Sequence, residues 1–118
     1  MASFIVEGGH KLHGSIIPQG AKNEALQVLC AVLLTQEIIV MDNIPNILDV
    51  NQLIELLECM GVQVEKLAKG KYSFCAKELD IAYLQTPDFL QKCNKLRGSV
   101  MLIGPLLARL GEVVYAKP

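Results

Sequence analysis

The sequence predicts an α/β fold, of the α+β kind, with helices buried between layers around one aliphatic core. Its 118 residues fall in the usual range of a single domain, and 52% hydrophobic against 19% charged residues make it globular and core-rich. Short β-branched segments alternate with longer apolar ones, the pattern of βα units. The third observation is an internal echo. Shifting the chain by 75 positions without a gap lays residues 22–43 on residues 97–118. Lys22 then meets Arg97, ALQVLCAVLL meets VMLIGPLLAR, Glu37 meets Glu112, and Ile38-Ile39 meets Val113-Val114. Each copy reads as a basic residue, a buried helix, a short loop and a β-branched strand. Such repetition marks an architecture of repeated units.

The elements follow in order. Phe4-Ile5-Val6 before Gly8-Gly9, and Ser15-Ile16-Ile17 before Pro18 and Gly20, predict two strands paired like a hairpin. Residues 25–34 are apolar nearly all round, broken only by Gln27, so they predict a helix buried on every face. Ile38-Ile39-Val40 predicts a strand. Asp49 reads as the N-cap of the next helix, with Gln52 completing a capping box and Leu48 and Leu53 a hydrophobic staple. Val50, Leu53, Ile54, Leu57 and Met60 form its apolar stripe, and Gly61 ends it. Residues 62–65 and 72–75 alternate around Lys69-Gly70-Lys71, which predicts a hairpin. Thr86 before Pro87 and Asp88 starts another helix. The predicted order is ββ-α-β-α-ββ-α-α-β. A chain that stops directly after its second repeat strand reads as a piece of something larger.

Composition also excludes. A formal charge of 11 − 12 = −1 lacks the basic face of a general nucleic-acid binder, and no Trp with 3 Phe and 3 Tyr supplies few stacking platforms. The 4 cysteines, at 30, 59, 75 and 93, form no C-x-x-C pair and do not cluster with His10 or His13, which speaks against a metal site. Thiols scattered through apolar stretches suit a reducing compartment, and no apolar run reaches the ~18 residues of a membrane span. The expectation is a cytoplasmic protein without membrane or nucleic-acid partners and without a cofactor.

Chemistry concentrates at the two repeat starts. Gly20-Ala21-Lys22-Asn23 is a small-residue loop entering a helix, where free N–H groups, the helix dipole and a lysine favour an anion. The plainer reading has Asn23 capping the helix and Lys22 solvated. Arg97-Gly98-Ser99 echoes that site, and arginine brings a planar fork for a carboxylate or diphosphate. Its plainer reading is a surface ion pair with Glu24 or Asp88. Arg109 reads as structural, near a helix C-terminus. His10 and His13 read as solvated, with no carboxylate nearby. Asp49 is occupied as a cap, and the cysteines fill apolar space with nothing beside them to lower a thiol pKa. No catalytic residue stands out within the chain.

These residues carry a resemblance. F-I-V-E-G-G-x-x-L-x-G from Phe4, Q-G-A-K-N-E-A-L from Gln19, N-I-P-x-I-L-D-V from Asn43 and L-R-G-S-V-M-L-I-G-P-L-L-A-R from Leu96 resemble the amino-terminal part of the UDP-N-acetylglucosamine 1-carboxyvinyltransferase family. Those enolpyruvyl transferases act in the first committed step of peptidoglycan synthesis. The sister 5-enolpyruvylshikimate-3-phosphate synthases typically carry Lys-Ser where this chain has Lys22-Asn23, a poorer match. The resemblance implies repeated βαβαββ-type units with helices buried within sheets, here as an incomplete domain. Residues 1–21 would be crossover strands belonging to a second domain, and residues 22–118 part of the first. It implies phosphoenolpyruvate and UDP-N-acetylglucosamine as substrates and the remainder of the enzyme as partner. Lys22 and Asn23 match the pair that binds phosphoenolpyruvate and orients the sugar, and Arg97 the arginine that contacts the UDP-sugar. The acid residue is expected in a loop that begins at Pro118, so the chain alone would be an inactive part of a transferase. The alternative is a non-catalytic anion- or nucleotide-sugar-binding module of the same fold.

Overall fold

Alternation around Lys69-Gly70 builds the sheet. In the computed structural model, which describes residues 2–112, strand β2 (Gln63–Ala68) turns through those two residues into β3 (Lys71–Cys75). The two are antiparallel, with a bulge between Lys66 and Ala68. β1 (Ile38–Met41) pairs antiparallel with the other edge of β3, giving the order β1-β3-β2. Phe74 therefore sits mid-sheet, opposite Ile39 on one side and Val64 on the other, and is fully buried.

Helices supply the rest of the core. α1 (Lys22–Cys30) runs into a 3-10 turn, Ala31–Leu34. α2 (Leu48–Cys59) buries the expected stripe of Val50, Leu53, Ile54 and Leu57, together with Leu56, and Met60 continues it. α3 (Pro87–Lys95) starts as the sequence indicates: the Thr86 hydroxyl accepts from the Phe89 N–H at 3.4 Å, and Pro87 takes the first position. A 3-10 turn, Arg97–Leu102, leads into α4 (Ile103–Leu110). That turn packs on α1 so closely that a Cβ at Gly98 would stand 3.0 Å from Leu26 Cδ1, a place only glycine fills without displacement. Arg109 is structural, as expected, and does more than offset a dipole. Its guanidinium donates to the carbonyls of Leu33 at 3.0 Å, Thr35 at 3.3 Å and Lys77 at 2.9 Å, joining three segments.

Four expectations need correction. Residues 2–21 form no strands, and Ile5 and Ile16 are 92% and 91% exposed. A two-stranded pair is marginal without a third strand or a helix to cover it. The run 25–34 is not one helix buried all round. Its α-geometry ends at Cys30, and Leu26, Leu29, Cys30, Val32 and Leu33 are buried, while Val28 is 43% exposed. Asp49 is not an N-cap. α2 begins two residues earlier than expected, behind Ile47 with no side-chain cap, and Leu48 is 71% exposed, so neither capping box nor staple forms. Finally, the second apolar helix is split. Pro105 has no N–H to give the carbonyl four residues back, so α-geometry starts afresh at Ile103, with the proline in its first turn. The repeat thus appears as α-then-3-10 in the first copy and 3-10-then-α in the second. The predicted strand at Val113-Val114 lies outside the described residues.

Candidate functional site

The chain reaches α1 through a tight contact. A Cβ on Gly20 would overlap the carbonyl oxygen of Asn43, so glycine lets this segment lie against the turn after β1. Asn43 itself takes a left-handed φ of 56°, with its N–H donating to Asp42 Oδ1 at 2.7 Å. Gly20, Ala21, Glu24, Met41, Asp42 and Asn43 are among the residues that line a groove of about 550 Å³ beside this contact. Its lining includes neither Lys22 nor Asn23, and its charged side chains are acidic, so it is not where an anion would go.

Ala21 occupies the N-cap position with extended backbone, and its carbonyl accepts the first helical bond from Ala25 at 3.0 Å. Alanine offers no capping side chain, and Asn23 lies inside the helix, not at its cap. The plainer reading of Asn23 therefore fails. No side chain caps the N–H groups of the first turn, which lie beside an exposed Lys22 and an exposed Asn23, the arrangement that attracts anions. Lys22 Nζ also lies 2.6 Å from Asp49 Oδ2. That pair joins the first turns of α1 and α2, and it explains why the Asp49 carboxylate does not cap its own helix.

Arg97 is exposed at the start of its 3-10 turn and makes no ion pair among the described residues. Neither expected partner holds it. Asp88 is engaged by the Tyr83 hydroxyl at 2.6 Å and by Lys92 at 3.5 Å, and the tyrosine bond chiefly holds its carboxyl below the usual range. Lys22 and Arg97 thus stand on two segments that pack against each other. Of the sequence candidates, the structure brings these onto neighbouring elements, both as exposed residues, with the Lys22 ammonium paired to Asp49.

Other expectations meet small corrections. His10 does have a carboxylate near it, Glu7 Oε2 at 3.7 Å, but no group of three metal-binding side chains occurs among the described residues. Burial pushes the Cys30 thiol up to about 12 and the Cys93 thiol up to about 11, consistent with inert fillers. Cys59 differs, because Lys92 Nζ approaches its sulfur at 3.2 Å across 33 positions of sequence. Sequence spacing gave no signal for that contact, nor for Lys22 with Asp49. No helix among the described residues is long and apolar enough to cross a membrane.

Comparison with known proteins places this geometry in context. The family model described as EPSP synthase (3-phosphoshikimate 1-carboxyvinyltransferase) matches residues 6–116. The UDP-N-acetylglucosamine 1-carboxyvinyltransferase of Bacteroides fragilis is 58% identical over all 118 residues, which correspond to 27% of its length. The protein of the same name from Porphyromonas gingivalis is 49% identical over 118 residues, again 27% of its length. That from Bradyrhizobium diazoefficiens is 42% identical over 115 residues, 98% of this chain and 26% of the relative. The chain spans about a quarter of the length of these relatives. A match to the family model across nearly every residue, with helices and a three-stranded sheet to accommodate it, means that the chain belongs to the EPSP synthase family.

Proposed function

We propose that this chain contributes the Lys22 and Arg97 side of the cleft in a cytoplasmic enzyme that transfers enolpyruvyl from phosphoenolpyruvate to the 3′-hydroxyl of UDP-N-acetylglucosamine, for peptidoglycan synthesis. The observation that carries the proposal is an uncapped α1 start bearing Lys22 and Asn23, in a chain 58% identical to a transferase of that name. Residues 22–118 belong to one domain of that enzyme, and residues 1–21 cross to another. Their exposed Phe4, Ile5, Val6, Ile16 and Ile17 suit a segment that is covered by further protein.

The reaction is an addition followed by an elimination. The sugar 3′-hydroxyl gives up its proton as its oxygen bonds to C2 of phosphoenolpyruvate, while C3 gains a proton. The C–O bond to phosphate then breaks, C3 gives up a proton, and the double bond returns. Lys22 and the first N–H groups of α1 hold the phosphate in place and stabilise the charge it carries away. Asn23 hydrogen-bonds the attacking hydroxyl. The fork of Arg97 engages the diphosphate of the sugar nucleotide, a contact lysine does not reproduce.

The test separates the two substrates. Arg97→Lys keeps the charge and loses the fork, so KM for UDP-N-acetylglucosamine rises roughly tenfold, the scale of one charged hydrogen bond. KM for phosphoenolpyruvate changes less than about twofold, because uniform binding of the other substrate is untouched. Steady-state assays that vary each substrate in turn read both values. Unchanged kinetics for Arg97→Lys would remove this residue from the sugar-nucleotide site.

A further inference from the structure

The contact between Lys22 and Asp49 leads beyond this reading. Both residues sit in the first turn of a helix, Lys22 in α1 and Asp49 in α2, with Nζ and Oδ2 2.6 Å apart. Neither is deeply buried: the side chains are 51% and 38% exposed, so water and an incoming ion reach both. From this geometry we infer that Asp49 is the counter-ion that limits how tightly Lys22 holds an anion, which lets inorganic phosphate leave the site once it has been formed. The inference rests on Lys22 being the phosphate-binding residue.

Two effects of Asp49 oppose each other. As a tether it restrains the flexible stem of Lys22, which would favour anion binding. As a charge it repels any anion that docks on the same ammonium, because two hydrogen-bond lengths in series separate them by only ~4–5 Å. It also offsets the positive ends of both helices. A half-exposed ion pair restrains its lysine weakly. Repulsion between a carboxylate and a phosphate dianion at that distance is the larger effect even when water screens it. Charge therefore sets the sign, and Asp49 weakens anion binding.

Inorganic phosphate is the probe, in the complete enzyme that carries these residues. Its affinity is measured by calorimetry and by competition with phosphoenolpyruvate. Asp49→Asn keeps the shape and an acceptor oxygen but removes the charge, and phosphate then binds about 3- to 10-fold more tightly, with a gain that shrinks as salt is added. Asp49→Glu keeps the charge and behaves as wild type. In a Lys22→Ala background the gain from Asp49→Asn disappears. If Asp49→Asn does not fold, Asp49→Ser carries the same expectation. Unchanged or weaker phosphate binding by the neutral variant, or tighter binding by Asp49→Glu, overturns the counter-ion role while Lys22→Ala alone still weakens binding. A gain that persists without Lys22 overturns it as well. If Lys22→Ala alone leaves phosphate affinity unchanged, the phosphate-site reading fails instead, and the inference with it.

Discussion

In the complete enzyme, Lys22→Ala lowers kcat/KM for phosphoenolpyruvate by roughly 10²–10³-fold, the scale of losing one preorganised charged donor where charge develops. The melting temperature moves little. Lys22 is about half exposed, and its ion pair with Asp49 is of a kind worth at most about 1 kcal/mol. A solvated lysine predicts near-normal kinetics with the same stability. Steady-state assays distinguish them, with thermal melts as the check on folding, and normal turnover by the variant would take Lys22 out of the mechanism.

Phe74→Ala has the largest expected effect on folding. The ring is fully buried on the central strand β3, and the Tyr72 ring lies 6.0 Å away centroid to centroid. Truncation leaves a cavity bounded by two paired strands that cannot close without breaking register, so the cost is about 3–5 kcal/mol. That is a large share of the ~5–15 kcal/mol that holds a typical domain together. Denaturant titration reads it as a lower midpoint at an unchanged slope. A loss under about 1 kcal/mol would mean that β3 is not the centre of the core.

What could be read from the sequence was mostly local. The hairpin across Lys69-Gly70, the stripe of α2 and the Thr86-Pro87 start of α3 each depend on neighbours within a few positions, and each appears where periodicity and cap chemistry put it. The errors arose where a distant partner, or a residue that periodicity does not weigh, decided. Asp49 has every local mark of an N-cap, yet its carboxylate is drawn to Lys22, 27 positions earlier in the chain. Pro105 split an apolar run that periodicity alone treats as continuous. The apolar segments of residues 2–21 carry strand composition but no covering layer among the described residues, and composition alone does not pair strands. For the site, the positions of Lys22, Asn23 and Arg97 at helical starts were legible, because small residues and bases before apolar runs mark such starts. The coupling of Lys22 to Asp49 was not, since only the packing of α1 on α2 creates it.

The central claim is that these residues serve enolpyruvyl transfer to a UDP-sugar. Replacing the matching residues of the Bacteroides fragilis relative with this chain gives a complete enzyme for the most direct measurement, phosphate release from phosphoenolpyruvate with each acceptor in turn. UDP-N-acetylglucosamine should support release at a rate within about tenfold of the unmodified relative, while 3-phosphoshikimate supports none above background. No release with the UDP-sugar from a folded chimera, or equal release with 3-phosphoshikimate, would contradict the account.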